Sequence, residues 1–304
     1  MKNPVTVCPR VVPLVRFADF VELARPRIAV LVLFTVAAGF GLASSGAPDL
    51  ARLLHTLFGT SLVVVGASAL NQVFERRSDT LMERTVNRPL PAGRLQAAAV
   101  LLFGAFLALA GLAYLAFAVG RPLAAEAAAF AFASYVFLYT PLKRSTTLNT
   151  LVGAVPGALP PMIGWTAATN SFDLAAVVLF AIVFLWQVPH FLAIAWIYRD
   201  DYARAGLRML SVQDPNGDRT ARCMVGYGLA LVAVSLVPPA LGWAGAYYLL
   251  GAVLLGAGFL TCVFGFLRSR SVVQARRVLR ASLVYLPALL TVLLAEGTVR
   301  SWIW

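Results

Sequence analysis

Nine long apolar runs separated by short polar segments fill most of the chain, at roughly 28–45, 53–74, 95–118, 123–140, 148–166, 172–197, 222–241, 243–267 and 281–302. Each is close to the ~20 residues a helix needs to cross the hydrocarbon core of a bilayer. None shows the period-two alternation of a transmembrane strand, and the runs are too long for one. The pattern predicts an all-α protein, a polytopic membrane bundle of nine transmembrane helices. Residues 1–27 form a cytoplasmic N-terminal segment and residues 28–304 a single membrane-embedded domain.

Composition agrees with the pattern. Of the 304 residues, 60% are hydrophobic and 12% charged, with a mean hydropathy of +0.81. Soluble domains carry about a quarter charged residues. The net charge of +12 invites a nucleic-acid reading, but the distribution of the charges opposes it. The N-terminal segment and the polar segments after the second, fourth, sixth and eighth runs hold 22 of the 25 Lys and Arg, leaving Arg52, Arg121 and Arg300 on the other side. One span more or fewer would scramble this partition. By the positive-inside rule the N-terminus is cytoplasmic and the C-terminus outside. The expected partner is membrane lipid, with no nucleic acid. A 27-residue leading segment is too long for the n-region of a cleaved signal peptide, and without a long Arg/Ser-rich presequence it points to a bacterial plasma membrane. Cys8, Cys223 and Cys262 are scattered and suggest neither a disulfide framework nor a metal site.

The cytoplasmic segments after the second and sixth runs are rich in acids, which membrane orientation does not require. In the first, Asn71, Glu75 and Asp79 are spaced i, i+4, i+8. On a helix they share one face, about 6 Å apart along the axis. Three oxygen-bearing side chains in a row suit a hard cation such as Mg²⁺, which takes one or two carboxylates together with phosphate oxygens and water. Arg84, Arg88 and Arg94 follow, forked donors matched to phosphate. Acids followed by arginines describe a metal–diphosphate site. The plainer alternative is a helix end whose acids pair with Arg76 and Arg77, but this leaves Asn71, deep in an apolar run, without a purpose.

The sixth run ends in WQVPHFLAIAWIYRDDYARAG, where Asp200 and Asp201 again meet basic residues. Acids from two helix ends can clamp one diphosphate through metal ions. Adjacent aspartates cannot both point inward, and Asp201 is favoured. Between the two constellations, Lys143 and Arg144 either meet phosphate or only fix topology. His190 is either a buried neutral histidine or a contact to a haem substrate. His55, near the far end of its run, is expected at the interface without a role.

These segments resemble the UbiA superfamily of intramembrane prenyltransferases, and within it the haem-farnesylating branch. The matching stretches are NQVFERRSDTLMERTVNRPLPAGRL, YTPLKRSTTLNTLVGAVPGALPPMIGW and WQVPHFLAIAWIYRDDYARAGLRML. The resemblance implies nine helices around a central cavity, with Mg²⁺-assisted ionisation of farnesyl diphosphate and farnesylation of a vinyl group of haem b. Carried over by position, Asn71, Glu75 and Asp79 hold metal, opposed by Asp201 and Asp200, while Arg84, Arg88 and Lys143 bind diphosphate. Arg144, Tyr139, Tyr198 and His190 join the substrate-binding candidates. A downstream haem-modifying enzyme is the protein partner such a product invites. Two departures stand out. Glu75 replaces the Asp usual in the wider superfamily, and adjacent aspartates replace its second DxxxD, with Tyr198 and Tyr202 near the expected sites.

On this reading an apolar cavity excludes water while an allylic cation forms, and ring faces such as those of Phe74, Tyr139 or Trp186 are candidates to stabilise it. The rival readings are a prenyltransferase acting on a quinone-precursor aromatic acid or a chlorophyll, and a transporter. A transporter predicts inverted repeats with broken helices at the midplane. Only the GAVPGALPP run offers such a break, and the acids lie at cytoplasmic ends.

Overall fold

The computed structural model of the protein describes residues 17–44 and 47–303, with side chains described through Gly297. Cys8, most of the N-terminal segment and the side chain of Arg300 lie outside the described residues. Among the described residues a short helix, α1 (Phe17–Ala24), precedes nine helices long and apolar enough to cross a membrane. The first five of these are α2 (Pro26–Ala43), α3 (Leu50–Asp79), α4 (Ala97–Phe117), α5 (Pro122–Leu142) and α6 (Asn149–Thr169). After α7 (Leu174–Ile197), a two-turn helix α8 (Arg199–Arg204) leads to α9 (Asp218–Ala240), α10 (Ala246–Ser269) and α11 (Val272–Ile303). No strand occurs among the described residues.

Lipid provides no hydrophobic drive between helices, so close approach depends on small side chains. Glycines supply it at two seams. Gly59 and Gly66 of α3 meet Gly104, Ala108 and Gly111 of α4 backbone to backbone. Where α2 crosses the second half of α6, a Cβ on Gly39 would overlap the Pro161 carbonyl, and one on Gly164 would overlap that of Val36. Helices α9 to α11 pack against α7 around Tyr248, Phe259 and Tyr285, all nearly fully buried. That layer backs the bundle and leaves α2, α3, α5, α6 and the end of α7 to surround a chamber.

Three local departures from regular helix shape that chamber. Arg25 precedes a proline, which disfavours right-handed helix there, and it adopts φ 48°, ψ 62°, separating α1 from α2. In α5, residues Ser134–Tyr139 take π-helical hydrogen bonding, and the Thr140 hydroxyl donates to the Tyr135 carbonyl at 2.9 Å. Helix α6 breaks at Leu159, ahead of Pro160 and Pro161, neither of which has an N–H to donate.

The α2–α6 seam leaves no room for a side chain. Replacing Gly164 by Leu is expected to cost at least about 1–3 kcal/mol, the usual penalty of overpacking. Thermal unfolding in detergent should show a lowered midpoint. Gly258→Ala on the open face of α10, where nothing lies within 4 Å of the added methyl, should leave the midpoint in place.

Candidate active site

The last three turns of α3 carry Asn71, Glu75 and Asp79 on one face, and Asn71 and Asp79 are fully buried. Each has a distinct restraint. The Asn71 amide donates through Nδ2 to Thr140 Oγ1 at 3.0 Å, which fixes the amide and leaves Oδ1 buried without a partner. Asp79 Oδ2 accepts from Arg88 Nη1 at 2.8 Å, while its Oδ1 is also buried and unpartnered. Glu75 Oε1 accepts from Lys143 Nζ at 2.5 Å. Buried oxygens with no donor are costly and normally satisfied. Two orphaned oxygens two helical turns apart on one face, with a carboxylate between them, therefore suit a hard cation. No cluster of three or more His, Cys, Asp or Glu occurs among the described residues, so substrate oxygens and water would have to complete any coordination shell.

Cations surround these acids. Arg88, Arg84, Lys143 and Arg25 all line the same chamber of about 540 Å³. Burial and the nearby Arg25 charge lower the pKa of Arg88, and Asp79 only partly offsets them. Burial alone would also depress Lys143, but the Glu75 carboxylate outweighs it and holds the ammonium well above its ordinary range. Lys143 also sits 4.4 Å over the Tyr139 ring, and Arg84 lies 4.9 Å over Tyr198 and 5.7 Å over Tyr202. Arg84 Nη2 donates to the Tyr202 hydroxyl at 3.2 Å, joining the loop after α3 to α8.

Behind this polar mouth the chamber turns apolar. It follows α3 from Asp79 to Thr60, about 28 Å at 1.5 Å per residue, past Val64 and Ala67, with Val32 and Phe132 opposite. Tyr135 and Tyr139, their ring centroids 5.6 Å apart, both line it.

The second acidic constellation lies differently from the first. Helix α8 starts afresh after Tyr198, whose φ −110°, ψ 25° breaks continuity with α7, so the helical phase resets. Tyr202 faces the chamber. Asp201 is buried but paired with Arg204, which also reaches Glu83 at 3.1 Å, and it does not line the chamber. Asp200 is 87% exposed beside Arg199 at 3.7 Å and points away from the site. Arg204 and Arg84 thus tie the two constellations together, but the acids of α8 do not share the cavity with Glu75 and Asp79.

Other candidates also fall outside the chamber. Arg94 binds Asp19 and Glu22, each at 2.7 Å, and so straps α1 to the loop after α3 instead of facing an anion. Arg144 lines a smaller outer pocket, as does Phe74. His190 contacts Ser282 Oγ of α11 through Nδ1 at 2.7 Å and stacks on Trp186, whose Nε1 donates to the Ser282 carbonyl. Its neighbour Phe191 lines the chamber in its place. His55 pairs with Tyr114 at 2.5 Å, far from the mouth. Sequence reasoning missed Arg25 and Tyr135, and noted Tyr202 only for its place near the expected second acidic motif. Tyr135 was legible as the residue four before Tyr139, on the same helical face. Arg25 reaches the site only through its left-handed backbone, which leaves no trace in periodicity.

The chain matches the UbiA prenyltransferase family over residues 32–297. It is 49% identical over 287 residues to the protoheme IX farnesyltransferase of Solibacter usitatus, covering 91% of this chain and 98% of the relative. It is 44% identical to that of Myxococcus xanthus, covering 93% and 96%. Among solved structures, a digeranylgeranylglyceryl phosphate synthase aligns with TM-score 0.76 at 16% identity, over 92% of this chain and 98% of that one. A UbiA homologue from Archaeoglobus fulgidus bound to GPP and Mg²⁺ aligns with TM-score 0.61 at 13% identity, over 90% and 99%. The chain is an integral membrane prenyltransferase and belongs to the UbiA prenyltransferase family, grouping there with the protoheme IX farnesyltransferases.

Proposed function

We propose that the protein transfers a farnesyl group from farnesyl diphosphate to a vinyl group of haem b. The observation that carries the reading is the junction of an oxygen-rich helix end, four cations and a long apolar chamber within one cavity. The names of its relatives supply the acceptor and the prenyl group, and the diphosphate and Mg²⁺ held by the Archaeoglobus homologue support a metal-dependent site. The cation excess of the cytoplasmic segments supports a chamber mouth and N-terminus on the cytoplasmic side of a bacterial plasma membrane, with the C-terminus outside.

In this mechanism Arg25, Arg84, Arg88 and Lys143 bind the diphosphate at the mouth and fix its orientation. The prenyl tail runs along α3 into the apolar chamber. A Mg²⁺ ion held by Asn71, Glu75 and Asp79 would supply further neutralisation of the leaving group. The basic side chains stabilise the charge that accumulates on diphosphate as the allylic C–O bond breaks. The ring faces of Tyr135 and Tyr139 lie where a cation can rest against them. The terminal carbon of the vinyl group then bonds to C1 of the prenyl chain. Water captures the cation formed beside the ring and loses a proton, leaving a hydroxyethylfarnesyl substituent. Apolar walls keep water from C1 before that attack. Asp201 acts at one remove, by holding Arg204 and through it the loop that carries Arg84.

Asp79→Asn keeps the shape of the side chain but removes its charge. Turnover of haem b and farnesyl diphosphate by the folded variant, read by product mass spectrometry, should fall by about 10²-fold or more, and the thermal midpoint should fall as well because Arg88 loses its buried partner. Chelation of divalent cations should abolish product formation in the wild type and addition of Mg²⁺ should restore it. A mass spectrum with prenylated aromatic acid, and no farnesylated haem from competing acceptors, would overturn the acceptor assignment.

The Glu75–Lys143 pair makes a separate prediction about stability. Both side chains are largely buried, at 13% and 16% exposure. Lys143→Met leaves an uncompensated buried carboxylate and should destabilise by about 3–5 kcal/mol. Adding Glu75→Gln should recover much of that loss, as read by thermal unfolding of the single and double variants.

A further inference from the structure

A second cavity, of about 350 Å³, lies on the outer side of the Glu75–Lys143 pair. It shares Glu75, Lys143 and Leu207 with the main chamber, so the ion pair is a partition between the two. Its lining is unlike that of the chamber. Phe74 and Phe137 are 49% and 60% exposed on membrane-spanning helices, so both rings face the lipid. Tyr135 and Tyr139 line the chamber while Phe137, between them, lines the outer cavity. At the rim Arg144 is exposed, and among the described residues no ion pair or side-chain hydrogen bond engages its guanidinium. The buried Ser78 and Thr140 line it beside the pair.

We infer that this outer cavity is the docking site of the acceptor, a planar macrocycle that carries carboxylates on one edge. This rests on the proposed function and adds where the acceptor sits. Two exposed phenyl rings offer flat apolar area to a ring face at the level of the bilayer interface. Arg144, one residue beyond Lys143 at the cytoplasmic end of α5, is placed to pair with a carboxylate that stays near water. The opposite edge of the macrocycle, with its vinyl group, then abuts the partition. C1 of the prenyl chain lies just across it, because the diphosphate is held by Lys143 and the arginines. The partition itself responds to the first substrate. A diphosphate draws the Lys143 ammonium away from Glu75, which opens the two cavities to each other. The acceptor is therefore admitted after the prenyl diphosphate.

The test uses purified enzyme in lipid nanodiscs, with steady-state titration of haem b and of farnesyl diphosphate. Arg144→Gln and Phe137→Ala should each raise KM for haem b about tenfold, the scale of one charge-assisted hydrogen bond or a comparable ring contact, and leave KM for farnesyl diphosphate unmoved. Both residues are exposed, and the unmoved diphosphate KM confirms a folded enzyme. Haem dimethyl ester should bind wild type more weakly than haem b does, whereas Arg144→Gln should not distinguish the two. If wild type farnesylates haem and both variants retain its KM, the subsite is wrong while the proposed function stands. The same holds if Arg144→Gln alters only product inhibition by inorganic diphosphate, which would make the cavity an exit. A wild type that makes no farnesylated haem overturns both.

Discussion

The Glu75–Lys143 ion pair is the contact on which the rest of the site depends. A carboxylate and an ammonium taken out of water need one another, since either alone in a low-dielectric wall is strongly disfavoured. Here they meet at 2.5 Å at the boundary between an apolar chamber and a polar mouth. Asp79 and Arg88 repeat the arrangement one helical turn on, at 2.8 Å. In each pair the cation is held by a single carboxylate and remains open to a more highly charged anion. The orphaned oxygens of Asn71 and Asp79 remain on the other side, each fixed by a hydrogen bond made elsewhere in the same residue. On the proposed reading this arrangement suits metal and diphosphate together, and charges that would destabilise a membrane protein are kept neutral in pairs.

The bundle divides its labour accordingly. Helices α9 to α11 bury aromatic residues against α7 and carry none of the chamber wall. The glycine seams hold α3 against α4 and α2 against α6, so the walls that line the chamber have little freedom to separate. Arg94 fixes α1 over the mouth, where the Leu23 carbonyl accepts from Ser68 and Gln72 of α3. This anchoring explains why a third guanidinium in a phosphate-like cluster is not available to substrate.

The parts of this molecule readable from sequence are those governed by period and length. The nine spans follow from apolar runs, and the alignment of Asn71, Glu75 and Asp79 follows from four-residue spacing along an unbroken helix. What escaped reading depends on breaks in helical phase. The restart at Arg199 turns Tyr202 inward where the pattern suggested Asp201, and leaves Asp200 in solvent. For His190 the sequence leaves a buried neutral histidine and a haem contact both open; in the fold its Nδ1 meets Ser282 Oγ, 92 residues away in the chain. Arg25 was passed over because arginine before a membrane span has a topological explanation, and only the fold shows it turned into the mouth.

The π-helical turn in α5 has a consequence for how this wall can change over evolutionary time. A π-turn amounts to one surplus residue carried within an α-helix. Deleting a single position between Ser134 and Tyr139 would restore regular winding, and because the wide turn absorbs the extra residue, the helix on either side would keep its phase. Lys143 would stay beside Glu75 and Phe132 on its own wall, while only the side chains inside the turn would change which way they face. One indel would thus alter a single band of the chamber lining without disturbing the charged mouth, a route by which the same wall could come to accept a differently shaped tail.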